Sequence, residues 1–266
     1  MKQVEVDRGT GPVILGLPHT GTWVPDDIKA RLTPRGQELA DTDWHIDRLY
    51  DGLLDQVTTV RATFHRYVID ANRDPSGASL YPGQNTTGLV PLTDFDGEPL
   101  WIDPPNAAEI EERRKRYHAP YHAALQAELT GALNRHGIAI LYDCHSIRSH
   151  IPYLFKGKLP DFNIGTNNGE TCAAVLEARV AATCAATPEY SSILNGRFKG
   201  GWTTRHYGRP GIGMHAIQME LAQSTYLIAE KAPWTYDRAK AIRMRAVLTD
   251  ILASLLELAP KLGTPT

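Results

Sequence analysis

Short apolar runs alternate with longer amphipathic segments along this chain, and that alternation restricts the fold more than any other feature. The runs predicted to be β-strands lie at 12–17, 58–64, 66–70, 138–143 and 215–221. Most of them are too continuously apolar for a sheet with one face in water. Helical patterns occupy 42–56, 106–137, 169–186 and 235–258. The sequence therefore predicts an α/β fold with three αβα layers, in which helices cover both faces of a mostly parallel mixed sheet.

Two of the predicted helices carry signals at their ends. The segment 42–56 opens at Thr42, a favourable N-cap, and the segment 106–137 ends at Gly137 with a kink expected at Pro120. The longer helix is rich in charge, so we expect it to present a solvated face with ion pairs and histidines. The residues assigned to that face are Glu109, Glu112, Arg113, Arg116, His118, His122 and His136.

Length and charge restrict the number of domains and the kinds of partner that this protein can have. The 266 residues suffice for one large domain, and no repeat or composition shift divides 1–266. With 28 basic and 30 acidic residues the net charge is −2, which disfavours nucleic-acid and membrane-surface partners and favours a small-molecule substrate. No run reaches ~18 apolar residues and the start lacks a signal-peptide pattern, so we expect a cytoplasmic protein. The sequence carries no signal for the oligomeric state.

The segment 74–105 is an unusually long loop between predicted elements. It is punctuated by Pro, Gly and Asn, with a hairpin expected around Asp96-Gly97. A loop of this length inside a compact domain is usually functional. We therefore expect it to form a lid over an active site.

Polar side chains follow the predicted strands, at the point where each strand ends. PVILGL is followed by His19, RYVID by Asn72 and Arg73, and IAILYD by His145, while HAIQM runs into Glu220. The carboxyl ends of parallel strands meet at one edge of a sheet, where ligands gather. These residues are therefore expected to converge, although they are far apart in sequence.

Two imidazoles at this edge predict a zinc site. A lone histidine at a strand end is more often structural, so the prediction depends on His19 and His145 together. Catalytic zinc needs a third protein ligand and keeps one position open. Among Asp41, Asp43 and Asp47, we predict Asp43, because it lies in the first turn of the 42–56 helix at the same edge; Asp47 is the second choice.

Three further residues have roles in this hypothesis. Asp143, two residues before His145 on an extended chain, is predicted to orient that imidazole. Glu220 suits a general base that takes a proton from the attacking water and delivers it to the leaving nitrogen. Arg73 offers a planar fork for a substrate carboxylate. The simpler alternatives are a salt bridge from Glu220 to an arginine and a surface pair of Arg73 with a neighbouring aspartate.

The cysteines and a glycine-rich segment complete the candidate residues. The three cysteines lack CxxC spacing, which indicates reduced thiols. Cys144 points to the opposite face from His145, so buried packing is favoured over a nucleophile. The segment 194–213 could be a flexible basic loop or could bind an anionic ligand through Arg197, Lys199, Arg205 and His206.

Several dispersed segments resemble the N-formylglutamate amidohydrolase family. They are GLPHTGTWVP, LADTDWHIDRLYDGL, RYVIDANRDPSG, LYDCHS, NGRFKGGWTTRHYG and MELAQSTYL, and together they run through most of the chain. That family is similar, distantly, to zinc carboxypeptidases and aspartoacylases. The resemblance implies a zinc-exopeptidase-like fold, with His19 and His145 as ligands, Asn72 and Arg73 as carboxylate binders, and Glu220 as base.

One departure from the family pattern directs the choice of the third ligand. The carboxypeptidase-like pattern has a glutamate three residues after the first histidine, but this chain has Thr22 there. A carboxylate must come from elsewhere, and Asp43 is our candidate.

The resulting hypothesis is a zinc enzyme with one ion per chain that hydrolyses N-formyl-L-glutamate to formate and L-glutamate in histidine degradation. Asn72, Arg73 and Arg205 are expected to hold the two substrate carboxylates. The alternatives are the same chemistry on another N-acyl amino acid, a catalytically silent protein that binds acidic amino acids, and a cysteine amidase that uses Cys144.

Overall fold

A seven-stranded mixed sheet forms the centre of the molecule in the computed structural model, which describes residues 2–78 and 86–263. The strands are β1 (Val4–Asp7), β2 (Val13–Leu17), β3 (Thr58–Ala62), β4 (Ala139–Ile147), β5 (Phe162–Gly165), β6 (Ser192–Leu194) and β7 (Met214–Ala222). Their order is β1-β3-β2-β4-β7-β5-β6. The four central strands β3, β2, β4 and β7 pair in parallel, and β1 and β5 pair antiparallel to them.

Helices cover both faces of this sheet. They are α1 (Asp26–Lys29), α2 (Pro34–Gln37), α3 (Ile46–Tyr50), α4 (Ala107–Arg113), α5 (Ala119–His136), α6 (Ala174–Ala185), α7 (Trp202–Tyr207) and α8 (Arg238–Leu262), with a π-helical turn at Arg114–His118. Alternate residues of β2 enter different cores: Val13 and Leu15 pack with α8 and α6, whereas Ile14 packs with α5. The predicted three-layer α/β architecture is therefore confirmed.

The predicted strand at 66–70 is wrong. Residues 66–68 form a buried turn, in which the N–H of Val68 donates to the carbonyl of His65 at 2.9 Å. The His65 ring satisfies a second backbone group, since the N–H of Tyr67 donates to its Nδ1 at 3.1 Å. The apolar run correctly indicated burial, but side-chain and loop partners replace a strand ladder there.

The predicted helix at 42–56 is also much shorter than expected. Only α3 is helical, and His45 before it has a left-handed φ of 61°. Thr42 is therefore not an N-cap, and Asp43 lies in the loop before the helix rather than in its first turn. A backbone hydrogen bond from the N–H of Asp43 to the carbonyl of His19, at 3.0 Å, anchors this loop to the end of β2.

The long charged helix has the predicted ends but not the predicted solvated face. Asn106 and Glu109 form a capping box, and Gly137 ends the helix with a φ of 67°. The π-helical turn ends at His118, two residues before Pro120, whose ring cannot fit a regular helical interior. The prediction of solvent exposure is wrong for Arg113, His118 and His122, which are all buried, because their polar atoms bond backbone carbonyls of the 68–73 segment.

The remaining predictions differ from the structure mainly in their boundaries. The helix predicted at 169–186 begins at Ala174, and α8 begins at Arg238 with Asp237 as its N-cap. The hairpin at Asp96-Gly97 is confirmed by a bridge between Thr93 and Pro99 and by the positive φ of Gly97. Strands β1, β5 and β6 were not predicted. Among the described helices, none combines the length and apolar character needed to span a bilayer.

Candidate active site

A cleft opens at the carboxyl ends of the parallel strands and has a volume of about 250 Å³. His19 follows β2, His145 lies near the end of β4, and Glu220 lies near the end of β7. The polar lining residues also include Arg66, Asn72, Arg73, Arg197 and Gln218. Residues 74, 77, 78, 86–89 and 95 of the long loop line the cleft as well, whereas 79–85 lie outside the described residues.

Three side chains in this region form a buried group that could hold a metal ion: His19, Asp43 and His145. His145 Nδ1 lies 3.2 Å from His19 Nδ1 and 3.2 Å from Asp43 Oδ2. His19 Nδ1 lies 3.7 Å from the same Asp43 oxygen. Tetrahedral ligands about 2.1 Å from a zinc ion are separated by about 3.4 Å, so this triangle has the size of a metal site.

The outer nitrogen of each imidazole faces a second carboxylate. His19 Nε2 lies 2.7 Å from Asp70 Oδ1, and His145 Nε2 lies 3.2 Å from Asp143 Oδ1. A carboxylate in this position holds the proton on Nε2 and turns the Nδ1 lone pair inwards. Two lone pairs and a carboxylate oxygen then point at one place, and a cation is the species that stabilises such an arrangement.

The electrostatics of the two imidazoles differ because their surroundings differ. Burial, assisted by Arg66, lowers the pKa of His19 to about 4. Burial also acts to lower the pKa of His145, but Asp143 and Asp43 outweigh it and raise the pKa well above its ordinary value. The carboxylates thus favour a positive charge at this end of the cleft.

The structure separates the three aspartates considered as third ligand. Asp43 is buried, and its other oxygen, Oδ1, accepts a hydrogen bond from Arg66 at 2.7 Å. Asp47 is half-buried and pairs with Arg61 at 3.2 Å, away from the cleft. Asp41 accepts hydrogen bonds from the Tyr67 hydroxyl at 2.8 Å and the Phe95 N–H at 3.0 Å. Only Asp43, of these three, joins the histidines.

Glu220 is placed beside the group by the register of the sheet. It is the direct partner of His145 in the parallel pairing of β4 and β7. Its Oε2 accepts a hydrogen bond from Gln218 at 3.1 Å. Burial, assisted by Asp43 and Asp143, raises the pKa of Glu220 to about 8, although His145 and Arg66 act in the opposite direction. A carboxyl group with a pKa near neutrality suits proton transfer.

Asn72 and Arg73 both line the cleft. Asn72 Oδ1 accepts from the N–H of Thr203 at 2.9 Å, and its Nδ2 lies 3.1 Å from His145 Nε2. Arg73 donates through Nε to the Thr87 carbonyl, through one terminal nitrogen to the Thr87 hydroxyl and through the other to the Asn72 carbonyl. Within residues 2–78 and 86–263, these bonds leave one N–H on each terminal nitrogen of Arg73 for another acceptor.

Of the four candidate donors named for the glycine-rich segment, Arg197 is the one that lines the cleft. Arg205 donates to the carbonyl of Gly200 at 2.9 Å and is absent from the described lining of the cleft, whereas Arg197 belongs to that lining. Gly201 approaches closely enough that a Cβ would lie 2.4 Å from Asn72 Nδ2. Any larger residue at position 201 would clash with Asn72, so this contact requires glycine.

Arg66 and Asp70 contribute to the site, and sequence reasoning did not assign them there. They are the first and last residues of the run 66–70, which was predicted to be a strand. A signal existed, because arginine and aspartate are rarely buried without partners, and a charged residue at each end of an apolar run implies such partners. Their partners, Asp43 and His19, lie in other loops, so the sequence of this run alone could not identify them.

Cys144 lies on the opposite face of β4, as predicted. It is fully buried among apolar residues, and burial raises the pKa of its thiol well above the ordinary value. The nucleophilic form of a cysteine is the thiolate. This environment therefore favours a packing role for Cys144 over a nucleophilic one, in agreement with the sequence prediction.

Two other histidines support the substrate-facing segment from α5 and the π-helical turn. His122 Nε2 donates to the carbonyl of Ala71 at 2.7 Å, and His118 Nε2 donates to the carbonyl of Arg73 at 3.0 Å. The two bonds bracket Asn72 along the chain. They fix the peptide groups on either side of this residue.

Comparison with known proteins adds independent evidence. The sequence model of the N-formylglutamate amidohydrolase family matches residues 11–227. An N-formylglutamate deformylase from Pseudomonas aeruginosa is 47% identical over 254 residues, which cover 94% of each chain. Another, from Pseudomonas putida, is 46% identical over 260 residues, or 96% of each chain.

A solved structure agrees with the sequence matches. The crystal structure of an N-formylglutamate amidohydrolase from Ralstonia eutropha JMP134 has a TM-score of 0.82 to this chain at 25% identity. The match covers 98% of this chain and 99% of that one. The sequence and structural matches extend over nearly the whole chain, and they establish that it belongs to the N-formylglutamate amidohydrolase family.

Proposed function

We propose that this protein hydrolyses N-formyl-L-glutamate to formate and L-glutamate with one zinc ion per chain, as a step of histidine degradation. The observation that carries the proposal is the buried group of His19, Asp43 and His145 with Glu220 on the adjacent strand. Sequence identity of 47% to an N-formylglutamate deformylase supports the choice of substrate.

The donor set fits zinc. Two imidazole nitrogens and one carboxylate oxygen are the ligands found in many catalytic zinc sites, which leave a fourth position open. Asp70 and Asp143 face the outer nitrogens of the two imidazoles, as outer partners of zinc-bound histidines usually do. When bound, the ion would polarise the formyl carbonyl and lower the pKa of a water molecule towards about 7.

Glu220 moves the proton in this proposal. Its carboxylate accepts a proton from the attacking water and then donates it to the nitrogen that leaves as the amino group of glutamate. The hydrogen bond from Gln218 holds one carboxyl oxygen in place. Arg66, which pairs with Asp43 and lines the cleft, keeps a positive charge close to the reacting carbonyl.

Arg73 and Asn72 orient the substrate. The terminal nitrogens of Arg73, each with one N–H unbonded within the described residues, receive the α-carboxylate, and Asn72 holds the loop at 200–203 by accepting from the N–H of Thr203. Residues of the 74–105 loop that line the cleft exclude water from the bound substrate. A formyl group is small, so a closely fitting cleft favours it over larger acyl groups.

Metal analysis combined with a formate assay tests the proposal. We expect about one zinc per purified chain, and formate release from N-formyl-L-glutamate that stops after chelation and returns when zinc is restored. N-acetyl-L-glutamate serves as the matched substrate with a larger acyl group and should react much more slowly. Formate release that persists without metal would refute the zinc mechanism. Metal binding without formate release would refute the substrate assignment.

A further inference from the structure

Three arginines line the cleft, and they differ in whether a carboxylate neutralises them. Arg66 lies 2.7 Å from Asp43 Oδ1, and Arg73 lies 3.7 Å from Asp70 Oδ2. Arg197 has no ion pair with any carboxylate among residues 2–78 and 86–263. Its guanidinium therefore adds an uncompensated positive charge to the lining of the cleft.

The contacts of Arg197 leave most of its donors available. Its Nε donates to the carbonyl of Leu154 at 3.3 Å, and its guanidinium carbon lies 5.6 Å from the centre of the Phe198 ring. Within the described part of the chain, its two terminal nitrogens have no hydrogen-bond partner. A guanidinium fork with free terminal N–H groups matches the two oxygens of a carboxylate.

Apolar side chains line the same cleft as this arginine and the histidines. Ile147 is on the same face of β4 as His145, two residues further along, which is about 7 Å on an extended strand. Leu154 and Phe198 pack against the same apolar cluster as Ile147. The lining of the cleft thus combines the ionic group at His145, these apolar side chains, and the cation of Arg197, which contacts Leu154 and Phe198.

The backbone that carries Arg197 is fixed on both sides. The N–H of Asn195 donates to the carbonyl of Ile164 at 2.7 Å, and the N–H of Gly201 donates to the Gln218 side chain at 2.6 Å. A cation on an anchored segment is positioned before a ligand arrives, which reduces the entropy lost on binding.

We infer that Arg197 binds the side-chain carboxylate of the substrate, with Ile147, Leu154 and Phe198 against its methylene groups, and so selects acidic N-formyl amino acids. The inference rests on the proposed function, in which Arg73 receives the α-carboxylate. A substrate with a formyl group to react near His145 and a side-chain carboxylate beyond a short run of methylene groups matches these surfaces.

A pair of substrates that differ only at the side-chain carboxylate tests this role. We would measure kcat/KM for formate release from N-formyl-L-glutamate and from its neutral isostere N-formyl-L-glutamine. The proteins are wild type, Arg197→Met, Arg197→Lys, Arg205→Met as the competing arginine, and the exposed Arg209→Met as matched control. Zinc content and circular dichroism establish that each variant is folded.

We expect the wild type to prefer the glutamate substrate by about 10²-fold or more. Arg197→Met should lose most of this preference through a fall in kcat/KM for the glutamate substrate, with little change for the glutamine substrate. Arg197→Lys should keep part of the preference, and Arg209→Met should keep all of it.

Two results would overturn the inference while leaving the proposed function intact. One is an unchanged preference in a folded Arg197→Met variant, and the other is a preference that disappears in Arg205→Met instead. If the wild type releases no formate from N-formyl-L-glutamate, the proposed function fails and this inference fails with it.

Discussion

Two pairs of neighbouring imidazoles contact the 70–73 segment, and they differ in what surrounds their nitrogen atoms. The ring centres of His19 and His145 lie 5.0 Å apart, and those of His118 and His122 lie 4.4 Å apart. In the first pair, Asp70 and Asp143 lie at the Nε2 atoms and hold their protons, so the Nδ1 atoms are left to act as ligands. The second pair donates to backbone carbonyls instead.

The second pair cannot accept a metal in the same way. His122 Nδ1 lies 3.0 Å from the Tyr207 hydroxyl while its Nε2 donates to a carbonyl, so both nitrogens are occupied. Burial lowers the pKa of His122 to about 3 and also lowers that of His118. Proximity of two histidines is therefore insufficient for a metal site; the carboxylates around them decide whether a cation is stabilised.

The largest effect should come from removing one imidazole of the first pair. We expect His145→Ala to lose its bound metal and at least about 10³-fold in kcat, because the ion supplies several kcal/mol of charge stabilisation. His122→Ala, from the second pair, should keep the metal. Metal content by mass spectrometry distinguishes the pairs, and stoichiometric metal in His145→Ala would show that the ligand assignment is wrong.

The next effect separates metal binding from proton transfer. Glu220→Gln removes the proton carrier but none of the three ligands, so we expect unchanged metal content and a loss of about 10²–10⁴-fold in kcat. The measurement is formate release at saturating substrate alongside metal analysis. Undiminished turnover would eliminate Glu220 as the base.

A smaller effect should follow when the first pair loses one of its carboxylates. Asp70→Asn keeps an oxygen that can accept from His19 Nε2 but removes the negative charge. We expect metal affinity to fall by about 10–100-fold, as is typical for outer partners of metal-bound histidines. Titration against a competing chelator measures this change. Equal affinity in the variant and the wild type would mean that the Asp70 charge does not tune the site.

The second pair should affect stability more than chemistry. His122→Ala leaves the Ala71 carbonyl unsatisfied, so we expect a loss of about 1–3 kcal/mol in the free energy of unfolding, measured with denaturant. His136→Ala is the matched control, because His136 also donates to a backbone carbonyl, that of Thr10, but at an exposed position. If the unfolding free energy falls no more in His122→Ala than in His136→Ala, His122 does not fix the backbone beside Asn72.

The same histidine makes a pH-dependent contribution to stability. Its pKa is lowered from 6.5 to about 3 in the folded protein, so the unfolded chain binds an additional proton between these values. Wild-type stability should therefore fall as the pH decreases from about 6.5 towards 3. We expect the fall to be less steep in His122→Ala, as measured by denaturation at several pH values.

The smallest effect is expected on the opposite face of β4. Cys144→Ala touches neither pair and should leave kcat/KM for formate release unchanged, with a loss of about 1 kcal/mol in stability from the reduced packing. A large loss of activity in a folded variant would show that the thiol participates in the reaction.

The sequence itself predicted the four central strands β2, β3, β4 and β7, the three layers, and the edge of the sheet at which the site lies. Strand alternation has a period of two, so an apolar run with a polar end indicates which residues share a face without any knowledge of the partner strand. His145 and Asp143 were placed on one face and Cys144 on the other in this way. A different rule, that ligands gather where the carboxyl ends of parallel strands meet, identified the ends of β2, β4 and β7 as the edge where the site would form.

Tertiary structure decided everything that depends on contacts between loops. Asp43 rather than Asp47 reaches the histidines because His45 interrupts the expected helix and a backbone bond ties Asp43 to His19. Arg66 and Asp70 enter the site from a buried turn that resembles a strand in sequence, and Arg197 rather than Arg205 lines the cleft. Local periodicity reports which side of an element is buried, whereas the direction of a loop side chain follows from packing with distant segments.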